Sequence, residues 1–119
     1  MLYNEEFTKK FENLKNVNKK ISPQIFKTME NFILFLEKNR VETPEMKMSD
    51  LRVPILFWKH NNNYMEINFD KVDTFTYFYM LGFEVHGEDF LPIGKRLPEK
   101  MEFFLKKYKI NYTKKKIKE

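Results

Sequence analysis

The period of the hydrophobic pattern changes between the first forty residues of this chain and its middle third. Early apolar side chains recur every three or four positions, whereas those from residue 64 to residue 80 alternate with polar ones. The first spacing is that of an amphipathic helix and the second that of a half-buried strand. Short turns between strands favour antiparallel pairing. The pattern therefore predicts an α+β fold with two N-terminal helices, a three- to four-stranded antiparallel meander, and a C-terminal helix with a basic tail.

Both N-terminal helices have start signals. Asn4 is placed to cap the first helix and Ser22 the second, with Pro23 at the first helical position, where its missing N–H costs nothing. The third helix is predicted to open at Pro98. The apolar stripes of the three helices are Phe7, Phe11 and Leu14, then Ile25, Met29, Phe32, Ile33 and Leu36, then Met101, Phe104, Leu105 and Tyr108.

The middle third is rich in β-forming residues separated by turn residues. Pro54 cannot donate a ladder hydrogen bond, so the first strand is expected to lie at an edge or to begin after Pro54. Turns are predicted at residues 60–63, at 70–73 and at Gly82. The predicted strands are 52–58, 64–69, 74–80 and a short fourth one at 83–86, with a connector over 41–51 and a loop over 87–96.

The chain is long enough for one domain and one core. We expect a single domain over residues 1–109 and a flexible basic tail over residues 110–119. Aromatic residues make up 17% of the chain and alanine is absent, so large rings are expected to fill the core. The predicted core comprises Phe7, Phe11, Ile25, Met29, Phe32, Ile33, Leu36, Ile55, Phe57, Ile67, Phe69, Phe78, Phe104 and Leu105.

Charge is segregated along the chain. Residues 95–119 contain ten Lys or Arg and three Glu, a net charge of +7, whereas residues 1–94 carry a net charge of −2. Such a segment can attract phosphates or an acidic protein face. The alternative is a solvated helix end whose cations complement the helix dipole. The lysines predicted to contact a partner or nucleic acid are Lys106, Lys107, Lys109, Lys114, Lys115, Lys116 and Lys118.

Aromatic side chains of the strands suggest a second contact region. If helices cover only one face of the sheet, then Trp58, or Tyr64 with Tyr77 and Tyr79, would form an exposed platform for stacking bases or for a protein partner. The alternative is that helices cover both faces, which would bury these rings, since large apolar patches are rare on monomers.

Catalytic and cofactor motifs are not found. The chain has no Cys, which excludes disulfides, thiol catalysis and thiolate metal sites. The three Gly do not form a phosphate loop, and Ser22 and Ser49 have no nucleophile motif. His60, and His86 near Glu84 and Glu88, match no metal-ligand spacing, although a general-base role for His86 stays open. We expect no catalytic residue, cofactor or metal.

The N-terminus has no signal-peptide pattern, and the longest apolar run, residues 32–36, is far too short to cross a bilayer. A cytoplasmic protein without membrane contact is therefore expected.

The order of the strand motifs carries a resemblance. A strand ending in Trp58, an Ile-x-Phe strand ending at Phe69, a Tyr-rich strand ending at Tyr79 and a final helix resemble a diffuse group of small uncharacterised bacterial and phage proteins. The resemblance covers residues 22–108 and implies an α+β fold without an established chemistry. Pro54 and the basic tail depart from the pattern.

Small size, aromatic strands and a basic end favour a non-enzymatic binding protein. The most concrete hypothesis is an inhibitor of a nucleic-acid-handling protein or ribonucleoprotein, of the kind that phages and mobile elements encode and to which anti-CRISPR proteins belong. Its partner would be that larger protein, with RNA or DNA contacted through the C-terminal lysines. The alternatives are a direct RNA- or DNA-binding module, an antitoxin or immunity protein, and a hydrolase that uses His86.

Overall fold

The computed structural model describes residues 2–92 together with 99, 101 and 102. The five described strands form one antiparallel sheet in the order β1-β2-β3-β4-β5. The fold is therefore α+β with an antiparallel meander, as predicted. Residues 99, 101 and 102 are helical, and the rest of the predicted C-terminal helix and tail lies outside the described residues. The elements are α1 (Glu5–Val17), α2 (Pro23–Lys38), β1 (Glu45–Met48), β2 (Pro54–His60), β3 (Asn63–Asn68), β4 (Thr74–Leu81) and β5 (Glu84–Pro92).

The predicted caps begin both helices. Asn4 Oδ1 accepts a hydrogen bond from the Phe7 amide at 2.8 Å, and Ser22 Oγ accepts one from the Gln24 amide at 3.2 Å. Each bond satisfies an amide that has no partner inside the helix. Pro23 stands at the first helical position, as its missing N–H allows.

The described sheet has one strand more than the four predicted, and its last strand is longer than predicted. β1 lies inside the segment predicted as a connector. Its four residues, Glu45, Met46, Lys47 and Met48, alternate between charged and apolar, and it is their pairing with β2 that identifies them as a strand. β5 continues through Gly87 to Pro92, where a loop was expected. β2 begins at Pro54 but lies between β1 and β3, so the expected edge position is wrong.

The predicted turns join the strands. Asn61 and Gly82 have φ values of 56° and 62°, and each begins a two-residue connection between neighbouring strands. Asn tolerates this left-handed region and Gly adopts it without cost. Asp73, with φ of 61°, ends the turn before β4, and its amide donates to Thr28 Oγ1 at 2.9 Å. This last bond ties the turn to α2.

One face of the sheet packs against α1 and α2, and we call it the covered face. The Phe32 ring of α2 lies 5.6 Å from the Phe69 ring and 4.6 Å from the Phe75 ring, measured between centroids. Met101 is fully buried in the same cluster. The covered face of the sheet contributes Leu56, Trp58, Met65, Ile67, Phe75, Tyr77 and Tyr79 to this core.

The opposite side of the sheet, on which neither α1 nor α2 packs, is here called the outer face. Phe57 and Phe78, predicted as core, lie half-buried on it. Ile55 is buried but also lies on the outer face. Phe104 and Leu105 lie outside the described residues. The other predicted core residues are buried in the helix–sheet cluster: Phe7, Phe11, Ile25, Met29, Phe32, Ile33, Leu36, Ile67 and Phe69.

Of the helices that the structure describes, neither α1 nor α2 has the length and hydropathy needed to cross a bilayer.

Candidate interaction surfaces

Three of the four rings predicted as an exposed platform are buried. Trp58, Tyr77 and Tyr79 keep only 2%, 1% and 2% of their surface exposed. Strand register explains this, because Trp58 and Tyr79 both pair with Met65 on the covered face. Tyr64 points to the outer face and is half-buried. The structure therefore separates the predicted set, and an exposed platform that combines Tyr64 with Tyr77 and Tyr79 is wrong.

Two of the buried rings, Trp58 and Tyr77, donate hydrogen bonds to protein groups. Trp58 Nε1 donates to the Glu42 carbonyl oxygen at 2.7 Å, and the Tyr77 hydroxyl donates to Glu88. Burial, with the Glu88 carboxylate beside it, raises the pKa of Tyr77. The Tyr79 ring stacks on the His86 ring at 4.9 Å and 14°. These contacts assign the rings to the core, where amphipathic aromatics need polar partners.

The lysines predicted to contact a partner, Lys106 to Lys118, lie outside the described residues, so their contact role stays a prediction. The described residues instead offer two other surfaces.

The outer face carries a row of half-buried rings across its three central strands. The Tyr64 centroid lies 5.9 Å from that of Phe57 and 6.1 Å from that of Phe78. Lys47 of β1 places its Nζ 4.8 Å from the Phe57 centroid and 5.7 Å from the Tyr64 centroid. A cation at this distance interacts favourably with the ring faces. The outer face therefore has an aromatic centre that already contacts one ammonium group.

A carboxylate lies beneath these rings. Glu66 pairs with both Phe57 and Phe78 across the sheet and is only 9% exposed. Its two oxygens accept hydrogen bonds from the Tyr64 hydroxyl at 2.7 Å and from Asn68 Nδ2 at 2.9 Å. Burial, followed by the bond to Glu66, raises the pKa of Tyr64. The centre of the outer face is thus acidic and aromatic, which disfavours close approach of a phosphate.

The hairpin between β4 and β5 exposes three large apolar side chains, which we call the hairpin tip. Phe83 in the turn is fully exposed, Val85 is 60% exposed and Met80 is 37% exposed. Met80 and Val85 are register partners on the outer face. Soluble monomers seldom group such side chains at one exposed position, and grouped ones mark contact sites.

The Asp and Glu side chains of the β4–β5 hairpin itself give this segment a negative formal charge. No Lys or Arg occurs between residues 72 and 94. Within β5 stand Glu84, Glu88 and Asp89, of which Glu84 and Asp89 are exposed. The hairpin therefore presents an apolar tip with an acidic strand behind it, the opposite charge to residues 95–119.

The two histidines are each paired with a carboxylate. His60 Nε2 lies 2.9 Å from Glu42 Oε2, and His86 Nε2 lies 3.3 Å from Glu84 Oε1. Glu88, the other acid considered with His86, accepts the Tyr77 hydroxyl. Among residues 2–92, 99, 101 and 102, no three His, Asp or Glu side chains group as metal ligands would.

Sequence reasoning missed the hairpin tip because Phe83 was assigned to the start of a strand. A signal was present, since Phe83 directly follows the predicted turn residue Gly82 and connecting segments run over the protein surface. Phe57 and Phe78 were missed as surface rings because alternation separates two faces without telling which face the helices cover.

Comparisons of the chain with protein-family models, with curated proteins and with solved structures found no match. Function must therefore be inferred from the chemistry of these surfaces alone.

Proposed function

We propose that this chain is a non-enzymatic binding protein that inhibits a nucleic-acid-handling protein or ribonucleoprotein, as anti-CRISPR proteins do. The observation that supports the proposal is the hairpin tip, where Phe83, Val85 and Met80 are exposed together. Fully burying one such side chain is worth about 1.5–3 kcal/mol. A few large apolar anchors of this kind supply most of the affinity of a protein interface.

The charge around the tip narrows the class of partner. Glu84 adjoins the tip, Glu88 and Asp89 follow it along β5, and residues 72–94 contain no Lys or Arg. A complementary partner surface has an apolar pocket bordered by Lys or Arg. Proteins that handle nucleic acids carry basic grooves for the phosphate backbone. An acidic hairpin with an apolar end fits such a groove and would compete with the nucleic acid for it.

The second candidate is direct binding of single-stranded RNA or DNA. The row of Phe57, Tyr64 and Phe78 on an antiparallel sheet supports it, because unpaired bases stack on such rings. The lysines of the C-terminal segment would contact phosphates, giving affinity that falls steeply with salt. Glu66 at the centre of the row argues against it, and we therefore rank it second.

The test is capture of a partner from nuclease-treated host lysate, followed by affinity measurement with the purified partner. The variant Phe83→Ser with Val85→Ser removes the anchors. Its matched control is Val17→Ser with Leu51→Ser, which removes apolar side chains that are 67% and 87% exposed at other places. We expect the tip variant to bind at least about 30-fold more weakly, from the loss of two anchors, and the control to bind normally.

Equal binding by both variants would reject the hairpin tip as the contact. Capture of nucleic acid in place of protein, lost at moderate salt, would favour the second candidate.

A further inference from the structure

The end of α1 and the start of α2 line an open cleft of about 460 Å³ that is separate from the hairpin tip. Small-molecule sites in proteins have volumes of about 300–1,000 Å³ and combine an apolar lining with a few polar groups. This cleft has both kinds of group. Its lining residues are Lys15, Asn18, Lys19, Ile21, Pro23, Phe26, Lys27 and Glu30.

The apolar floor of the cleft is held by the core. Phe26 is only 5% exposed, and its ring contacts the Phe11 ring edge-on at a centroid distance of 6.4 Å. Ile21 is half-buried and packs against the same core. The Ile21 amide donates to the Asn18 carbonyl at 3.0 Å, which fixes the connection between the helices. The floor is therefore formed before any ligand binds.

The polar rim is mainly cationic. Lys15 Nζ is engaged by Glu12 Oε2 at 3.1 Å. Lys19 and Lys27 are exposed, and neither forms an ion pair with another residue in the described part of the chain. Glu30 supplies the one carboxylate among the lining residues. Two exposed lysines thus line the apolar floor, and neither has an ion-pair partner among the described residues.

We infer that this cleft binds a small amphipathic organic anion. Its ring or short aliphatic body would lie on Ile21, Pro23 and Phe26, and its carboxylate or phosphate would contact Lys19 and Lys27. The apolar body gains from leaving water, and the head group gains from two cations that form no ion pair within the described part of the chain. This inference does not depend on the proposed inhibitor function, because the hairpin tip lies on another part of the fold.

The test is an NMR titration of the ¹⁵N-labelled full chain with indole-3-acetate. Two reference probes each contain one part of indole-3-acetate: indole-3-ethanol has the ring without the charge, and acetate has the charge without the ring. We expect amide shifts confined to residues 15–30. We also expect indole-3-ethanol to bind about threefold to fivefold more weakly, from the loss of exposed ion pairs. Acetate should bind more than about tenfold more weakly, from the loss of apolar burial.

Paired variants localise the charge effect. Lys19→Gln with Lys27→Gln should weaken indole-3-acetate binding about threefold to fivefold and leave indole-3-ethanol binding unchanged. The control, Lys9→Gln with Lys10→Gln, makes the same change of net charge on exposed lysines of α1 that pair with Glu5 and Glu6. It should leave both probes unaffected. Equal binding of the charged and neutral probes, shifts spread over the surface, or an equal loss in the control would overturn the inference.

Discussion

The two faces of the sheet carry similar aromatic residues but expose them to solvent to different extents. The covered face buries Trp58, Tyr77 and Tyr79 almost completely, whereas the outer face leaves Phe57, Tyr64 and Phe78 half-buried. The difference comes from the helices, since α1 and α2 pack on one side only. It teaches that ring content does not identify a binding surface. What identifies it is which rings remain in contact with solvent once the helices have docked.

The largest effect on stability is expected when two sequence neighbours on opposite faces, Trp58 and Phe57, are each replaced by alanine. Trp58→Ala removes a ring that is 2% exposed together with its hydrogen bond to Glu42, so it should cost about 3–5 kcal/mol of unfolding free energy. Phe57→Ala removes a half-buried ring and should cost about 1–2 kcal/mol, because less area and no enclosed cavity are involved. Urea unfolding of both variants measures the difference. Equal losses would show that the outer face is packed as tightly as the covered one.

The next test concerns how closely β5 packs against β4, at the edge of the outer face. A Cβ added at Gly87 would collide with the Tyr77 carbonyl oxygen and lie 2.8 Å from Phe78 Cβ. We therefore expect Gly87→Ala to cost about 1–3 kcal/mol through displacement of β5. The control is Gly82→Asn, since nothing lies within 4 Å of that position and Asn tolerates its positive φ. Thermal unfolding of both variants is the measurement, and a Gly87→Ala protein as stable as the parent would mean that β5 does not approach β4 so closely.

The sequence specified most of the fold but not the sites. The helix caps at Asn4 and Ser22 and the turns at Asn61 and Gly82 are local features, so local patterns predicted them. The alternation of Tyr77 with Phe78 also predicted correctly that they lie on opposite faces. Which face the helices cover depends on long-range packing, as in the contact of Phe32 with Phe75, and no pattern of spacing shows it. β1 was missed because its pairing with β2, and not its own composition, makes it a strand.

The third test uses the tyrosines, which occur on both faces. Burial raises the pKa of Tyr77 on the covered face and of Tyr64 on the outer face, each with help from a carboxylate. In the unfolded chain tyrosine ionises near pH 10, so the folded state then holds protons that the unfolded state has lost. Stability is therefore full below about pH 10 and falls above it, by up to about 1.4 kcal/mol per pH unit for each such tyrosine.

Urea unfolding at pH 9 and at pH 11 measures this loss. Tyr77→Phe and Tyr64→Phe should each make the loss smaller, because one ionisable group is removed. If only Tyr77→Phe does so, then the outer face gives its tyrosine no protection from solvent, and the two faces differ more than the geometry indicates. A stability that does not change between these pH values would contradict the role of burial at both positions.

The smallest expected effect on stability is at the hairpin tip. A side chain that serves only to contact a partner can be replaced with little change in the unfolding free energy, whereas a packed side chain cannot. Phe83 is fully exposed, so Phe83→Ser removes no buried contact and should change the unfolding free energy by less than about 0.5 kcal/mol. The same substitution should increase solubility, because it removes an exposed ring from a group of apolar side chains. Urea unfolding and a solubility assay check the two expectations. A loss of more than about 1 kcal/mol would show that Phe83 is packed as Phe57 is, and would remove the exposed anchor on which the proposed fit to a basic groove rests.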